Sequence, residues 1–289
     1  MHLRFVWLGF WLTCLFTSQL ALGRPTPPPL RVATYNLRMN TASDGPNAWP
    51  NRKELVKNLV RYHYFDVFGT QEGFRSMLTD VAELADYAFV GRGRDDGREA
   101  GEHSAIFYRR SRLQLLQTGD FWLSETPDRP GKGWDATCCN RICTWARFKD
   151  LQTKQDFYFF SVHFDHEGVV ARRESGKLMV RKIAEIAGNA PVICVGDFNS
   201  TPDTEQIQTM QTRLRDARAA SATPPYGPVG TFQGFDLAAP LADRIDYIFV
   251  SPGSQVLTYA ALTDSWHGRY PSDHFPVVAD VVLHPTRAQ

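Results

Sequence analysis

The stretch that most constrains this chain is Pro191 to Thr201, PVICVGDFNST, an apolar run that ends abruptly in an acid, an aromatic and an amide. Val192, Ile193, Cys194 and Val195 have the length and continuity of a strand buried on both faces, and Gly196 frees the backbone to deliver Asp197 and Asn199 at its exposed end. Side chains two residues apart on an extended chain point the same way, so this carboxylate and carboxamide can converge on one small polar object. The plainer reading is a strand followed by a helix cap, because Ser200, Thr201 and Asp203 open a helical pattern. The number of similar strand ends elsewhere decides between the two.

The chain supplies several. RVATYNL alternates as a strand ending at Asn36, and DVFGTQE is a second ending at Glu72. Between them lie the turn-rich TASDGPNAW and a helix opened by Pro50, with Leu55, Val56, Leu59 and Val60 on one face. Met77, Leu78, Val81, Leu84 and Ala85 mark the next helix. The middle turns to strands: YAFVG, AIFYRR, RLQLL, ICTWARF and DFYFFSVHF, the last carrying His163. A helix from Val169 to Ala187, with Ile183 and Ile186 inward, precedes PVICVGDF, and another near Thr204 to Arg215 follows it. RIDYIFVS brings Asp246, a strand spans about Gln255 to Leu262, and DHFPVVADVVL opens with Asp273 and His274. Two long polar loops, Arg92 to His103 and Ser124 to Arg141, interrupt the pattern, and loops of that length in a compact domain are commonly binding loops. Many strands and few helices in mixed order predict two packed β-sheets covered by helices in one domain.

At 289 residues and 43% hydrophobic content the chain has ample material for a large core. Met1 to Gly23 reads as a cleaved secretory signal: His2 and Arg4, an apolar Phe5 to Phe16, then small Ala21 and Gly23. The expected organisation is therefore a signal peptide over 1–23, a proline-rich leader over 24–29 and a single domain over 30–289, with a secreted or periplasmic product. Cleavage removes one base and no acid, so 32 basic residues become 31 against 31 acidic. Tight binding to long nucleic acid draws its affinity from neutralised phosphates and usually goes with a basic stripe. The balanced total argues against it, and the local clusters Arg92 with Arg94 and Arg172 with Arg173 read as solvated faces. Export makes a disulfide plausible, with Cys143 pairing Cys138 or Cys139, whereas Cys194 reads as a buried hydrophobe.

Gathered together, Asn36, Glu72, His163, Asp197 with Asn199, Asp246, and Asp273 with His274 each stand where an apolar strand meets a loop. Such groups are costly to bury unpaired, and one shared pocket explains them all. Carboxylate and amide oxygens without a Cys or His majority are hard-cation chemistry, so Mg²⁺ or Mn²⁺ is the expected cofactor. Two histidines add proton-transfer groups near neutral pH. The set suits attack of water on a phosphorus ester, in which a divalent ion and fixed donors surround the phosphoryl oxygens. There is no GxSxG, HExxH or P-loop to support serine, zinc-protease or nucleotide-driven chemistry.

In order, ATYNLR, GTQE, SVHFDH, VGDFNSTPD, DRIDYIFVS and SDHFPVVADV resemble the motifs of the endonuclease/exonuclease/phosphatase superfamily, from Arg31 to Leu283. The resemblance implies an α/β fold of deoxyribonuclease I type, a four-layer α/β sandwich of two central mixed β-sheets flanked by helices. It implies a metal site at Asn36, Glu72 and Asp273, with Glu72 the principal ligand. His163 then resembles the histidine on the scissile phosphate, Asp197 the carboxylate that aligns or activates water, and Asn199 the amide that steadies both. Asp246 resembles the acid that orients His274, which touches the phosphate. Arg141, where the second long loop enters a strand, stands where such proteins place a phosphate-gripping base. Asp165 and His166 read as supporting groups and Asp243 as structural.

Family membership leaves the substrate open. A nuclease is the first expectation, with a phosphodiesterase or phosphatase on a lipid or sugar phosphate as the alternative and a non-catalytic binding protein third. Retention of Glu72, Asp197 and His274 argues against the third. The expected partner is a phosphate-ester substrate, nucleic acid among the candidates. No obligate protein partner is evident, and membrane contact is expected only for a lipid substrate. GEHSAIFY and GKGWD resemble the loops of secreted bacterial members of unassigned specificity.

Overall fold

The computed structural model describes residues 27–284, together with His2, so the signal-peptide reading of 1–23 and the start of the leader lie outside the described residues. Two six-stranded sheets form the centre. The first runs in spatial order β11 (Gln255–Ala261), β12 (Val277–Val282), β1 (Leu30–Asn36), β2 (Val67–Gln71), β4 (Ile106–Arg109) and β3 (Tyr87–Val90). The second runs β5 (Leu113–Trp122), β6 (Ile142–Asp150), β7 (Asp156–His163), β8 (Val192–Asp197), β10 (Asp246–Val250) and β9 (Arg215–Asp216). Each sheet is mixed: β1 with β2 and β7 with β8 are parallel, and the other pairings are antiparallel.

Alternation along the strands builds three apolar layers. Val32, Val67 and Ile106 of the first sheet meet Phe148, Phe159, Val195 and Ile248 of the second. On the outer face of the first sheet, Ala33, Tyr35 and Phe68 pack with Val56, Leu59, Met77 and Leu78 from α1 (Trp49–His63) and α2 (Arg75–Ala82). On the other side, Phe160, Cys194 and Phe249 pack with Leu178, Met179, Ile183 and Ile207 from α3 (Val169–Ala187) and α4 (Glu205–Gln211). The result is the expected four-layer α/β sandwich. Among the described residues a short α5 (Ala217–Ala220) and a 3₁₀ turn over Ala42–Asn47 complete the helical elements. Near the site the sheets come close at Gly69, where an added Cβ would lie 2.5 Å from Val195 Cγ2 and 2.6 Å from Ser161 Oγ.

Several local expectations are corrected. The helix after PVICVGDF stops at Gln211, because Arg215 and Asp216 leave it to pair with Val250 and Phe249. Buried Asp216 is gripped there by both guanidinium nitrogens of Arg244, at 3.0 and 2.6 Å. The second helix ends at Ala82, which puts Leu84 in a buried turn and leaves Ala85 exposed. Leu55 is only half-buried, and the inward face of α1 also carries Arg52, whose guanidinium donates to the backbone carbonyls of Leu37, Arg38, Asn47 and Pro271. Cys143 pairs with neither neighbour: it is fully buried among Phe121, Phe160 and Val162, while Cys138 and Cys139 are bonded to each other.

Candidate active site

Strand register assembles the site. In the second sheet His163 sits opposite Asp197 across the parallel pair β7–β8, and Asp246 sits opposite Asp197 across the antiparallel pair β8–β10. In the first sheet Asn36 ends β1 beside Gln71 at the end of β2, so Glu72 follows one residue later. Four parallel-running ends and the start of β10 thus meet at one edge of the sandwich. Gly196 permits this spacing, because a Cβ there would collide with the Val162 carbonyl. Glu72 and Asn199 both leave their strands with positive φ, 61° and 44°, a region uncommon for side chains and concentrated at functional sites.

Asn36 joins the two sheets. Its Nδ2 donates to Glu72 Oε1 at 3.0 Å and to Asp197 Oδ2 at 3.1 Å, while its Oδ1 accepts the Arg38 N–H at 2.9 Å. Glu72 Oε2 accepts the Met39 N–H at 3.0 Å. Burial alone would raise the Glu72 carboxyl, but the charge of His274 and these donors outweigh it, so the group is held below its ordinary value and stays ionised. Asp273 is buried 3.7 Å from Arg38 Nε, and burial raises its carboxyl with His274 pulling the other way.

Around Asp197 the protons sort themselves. Burial, then the neighbouring charge of Asp246, pushes the Asp197 carboxyl up to about 7. His274 donates Nδ1–H to Asp246 Oδ2 at 2.9 Å and holds Nε2 3.8 Å from Asp197 Oδ2. Burial opposes its charge, yet the two acids and Asp273 hold it well above the usual imidazole value, so it is an imidazolium. His163 goes the other way: burial, then Arg141 and Arg94, drive it well below that value. Its neutral ring accepts from Asn199 Nδ2 at 3.2 Å, an amide also bonded to the Phe164 carbonyl, and the Asn199 N–H caps Asp197 Oδ1 at 2.9 Å.

These groups face a cavity of about 460 Å³ lined by Glu72, Arg141, His163, Asp197, Asn199, Asp273 and His274. Asn36 and Asp246 stand just behind it and act through their hydrogen bonds. Arg141 is buried, donates from Nη2 to His166 Nδ1 at 2.6 Å and lies 3.6 Å from Asp165, whose other oxygen caps the N–H groups of Glu167 and Gly168. Asp165 and His166 therefore position Arg141, and Asp243 is exposed away from the cavity. The loops add residues the strand-end argument did not reach: Arg38, Met39, Arg94, Glu102, Cys138, Cys139 and Phe232. Arg94 and Glu102 form a buried ion pair at 2.7 Å.

The donor set fits a hard divalent cation. Glu72, Asp197 and Asp273 bring three carboxylates to one cavity, a concentration of negative charge and oxygen donors that such a cation matches. Ligand atoms of Asp197, Asp246 and His274 also lie within 4.8 Å of one another. A protonated His274 has no lone pair to offer, so that trio is a hydrogen-bonded charge cluster, and Glu72 with Asp273 remains the better place for metal.

The profile of the Endonuclease/Exonuclease/phosphatase family matches residues 33–274. The chain belongs to that family. It is 43% identical to a mannosyl-6-phosphatase of Bacteroides thetaiotaomicron, with a TM-score of 0.84 over 88% of this chain and 100% of that one. It is likewise 43% identical to a further endonuclease/exonuclease/phosphatase family protein of that organism, with a TM-score of 0.86 over 89% and 99% of the two chains. Nocturnin of Drosophila melanogaster is 25% identical over 285 residues, 82% of this chain and 42% of nocturnin. The chain spans less than two thirds of the length of the curated relatives it matches. Members of that family hydrolyse phosphoester bonds, generally with a metal ion.

Proposed function

We propose that this protein is a phosphomonoesterase that takes a small phosphorylated sugar. The observation that carries this reading is the shape of the site. The two long loops fold over the strand ends, so that Arg94 and Glu102 from one and Cys138, Cys139 and Arg141 from the other wall a cavity of about 460 Å³. A space of that size suits a small ligand better than a polymer, and a paired guanidinium and carboxylate can donate to and accept from sugar hydroxyls. Likeness to a mannosyl-6-phosphatase at 43% identity supports the same class. The nuclease reading moves to second place, because the chain carries almost no net basic charge to draw a long polyanion.

The residues divide the work. Bound Mg²⁺ or Mn²⁺, at Glu72 and Asp273, would supply positive charge to the phosphoryl and leaving oxygens. Asp197, as a carboxylate, orients a water molecule and takes its proton. His274, charged and aimed by Asp246, donates from Nε2 to a phosphoryl oxygen, and the Asn199 amide with Arg141 adds fixed donors. Neutral His163 keeps Asn199 in place. Export remains part of the proposal, supported by the signal-like Met1 to Gly23 and by a disulfide, a bond favoured outside the cytosol.

The test is a Mg²⁺ and Mn²⁺ activity panel comparing hexose 6-phosphates, bis(p-nitrophenyl) phosphate, sphingomyelin, inositol phosphates and single-stranded and duplex nucleic acid, with Asp197→Ala as blank. Turnover of a hexose phosphate above the diester and polymer supports the proposal. Cleavage confined to nucleic acid would restore the nuclease reading.

A further inference from the structure

Cys138 and Cys139 are bonded to each other in the wall of the cavity that holds Glu72, Asp197 and His274. Cys138 is exposed and Cys139 half-buried, whereas Cys143 and Cys194 are fully buried thiols. The segment around the bond is irregular but fastened on both sides. Before it, Thr137 Oγ1 donates to Glu167 and the Thr137 carbonyl accepts from Lys132 at 2.5 Å. After it, Asn140 Nδ2 donates to the Arg94 carbonyl at 3.2 Å, and the Arg141 carbonyl accepts the Leu123 N–H at 2.8 Å. A bond between adjacent cysteines closes a small ring with their shared peptide unit, so two polarisable sulfurs present one stiff apolar surface. Phe232 adds a second such surface: it is 46% exposed, yet held edge-on to His274 with ring centres 5.0 Å apart. Neither surface has a part in water activation or phosphoryl binding.

We propose that the Cys138–Cys139 disulfide is the platform on which the ring of the leaving group rests, and that its oxidation state sets substrate affinity. This rests on the small-ester reading above. Ring C–H faces pack on apolar, polarisable surfaces while Arg94 and Glu102 engage the hydroxyl rim, the usual division of labour in a small-molecule pocket. Reduction by a dithiol passes two electrons and two protons to the cysteine pair: the Cys138–Cys139 bond breaks, two thiols form, and the reductant closes its own disulfide. The freed thiols then rotate independently and the surface is lost. Asp197, His274 and Glu72 are untouched, so KM rises while kcat holds.

The test compares oxidised protein, protein reduced with dithiothreitol, and the double variant Cys138→Ser/Cys139→Ser, in saturating Mg²⁺, on a hexose 6-phosphate, 4-nitrophenyl phosphate and methyl phosphate. Iodoacetamide mapping accompanies it: neither Cys138 nor Cys139 labels before reduction and both label after. Reduced and double-variant proteins are expected to show KM raised about fivefold or more on the ring-bearing esters, with kcat within about twofold and methyl phosphate unaffected. Unchanged KM on the ring-bearing esters, or labelling of the unreduced pair, overturns the platform. Turnover of the nitrophenyl ester without the hexose ester would remove the sugar reading, while the redox shift on the nitrophenyl ring still decides the platform.

Discussion

His274 gives its Nδ1–H to Asp246 at 2.9 Å, and that bond fixes both its charge and the direction of its other nitrogen. Asp246 comes from the first residue of β10, so sheet register, rather than a flexible loop, aims the imidazolium at the Asp197 side of the cavity. Asp246→Asn keeps the shape and removes the charge. The expected outcome is an unchanged melting temperature and a fall in kcat of about a hundredfold or more, since an uncharged, mis-aimed His274 forfeits its stabilisation of the phosphoryl oxygens. Steady-state kinetics beside a thermal melt check it, and a kcat near wild type would show that His274 needs no charged partner.

The carboxyl of Asp197, raised by burial and by Asp246, must lose its proton before it can accept one from water. Activity therefore climbs as pH rises through that carboxyl's value, about 7, instead of levelling off near pH 4 as for an exposed acid. A divalent cation beside Glu72 and Asp273 stabilises the ionised form of Asp197, so the acid limb moves to lower pH as Mg²⁺ is raised. Profiles of kcat/KM at two metal concentrations measure the shift. A limb that does not respond to metal would mean that the rate-limiting carboxyl lies away from the cation.

The strand-end residues were legible because burial and alternation announce where a strand stops, and an acid or amide buried at such a point needs polar partners that a shared site supplies. Glu72, His163, Asp197, Asn199, Asp273 and His274 line one cavity, with Asn36 bonded to Glu72 and Asp197 and Asp246 bonded behind His274. Arg38, Arg94, Glu102 and Phe232 were not legible, since irregular loops carry no period to show which side chains turn inward. Arg52 was hidden for the opposite reason. It sits on a helix whose polar positions read as solvent-facing, yet it ties the carbonyls of Leu37, Arg38 and Pro271 together behind the site. The cysteine pairing failed on the same limit: spacing allows Cys143 to reach Cys138 or Cys139, but Cys143 lies on the helix-covered face of β6, fully buried beneath α3 and α4.

Glu72 is the test of the metal assignment. Glu72→Gln preserves the side chain's size while removing the charge that the cation would balance, and its single amide oxygen keeps one of the two donors, Met39 N–H or Asn36 Nδ2, that the carboxylate accepts. Wild-type protein should melt higher in Mg²⁺ or Mn²⁺, by the equivalent of about 2.7 kcal/mol at a metal concentration one hundred times Kd. The variant is expected to lose most of that rise together with its activity. An equal metal-dependent rise in Glu72→Gln would place the cation elsewhere.

Away from the site, Arg112 and Asp150 form a buried two-point pair, Nε to Oδ1 at 2.9 Å and Nη2 to Oδ2 at 3.0 Å. Arg112 also reaches the Pro28 carbonyl at 3.3 Å, and Asp150 caps the turn into β7 through the Gln152 N–H and the Thr153 hydroxyl. Burial acts to raise the Asp150 carboxyl, but Arg112 and the turn donors outweigh it and hold it below the ordinary value. A lowered carboxyl contributes stability that is complete above its unfolded value and is lost as pH falls through the folded one. Removing one partner of such a pair strands a buried charge, so Arg112→Ala should cost about 3–5 kcal/mol. Denaturant melts should show that loss at neutral pH, and it should shrink on acidification as Asp150 protonates in the variant. The kcat of folded variant should match wild type, because the pair touches no residue of the cavity. A loss that stayed constant down to acid pH would mean that packing of the Arg112 stem, and not its charge, holds this corner together.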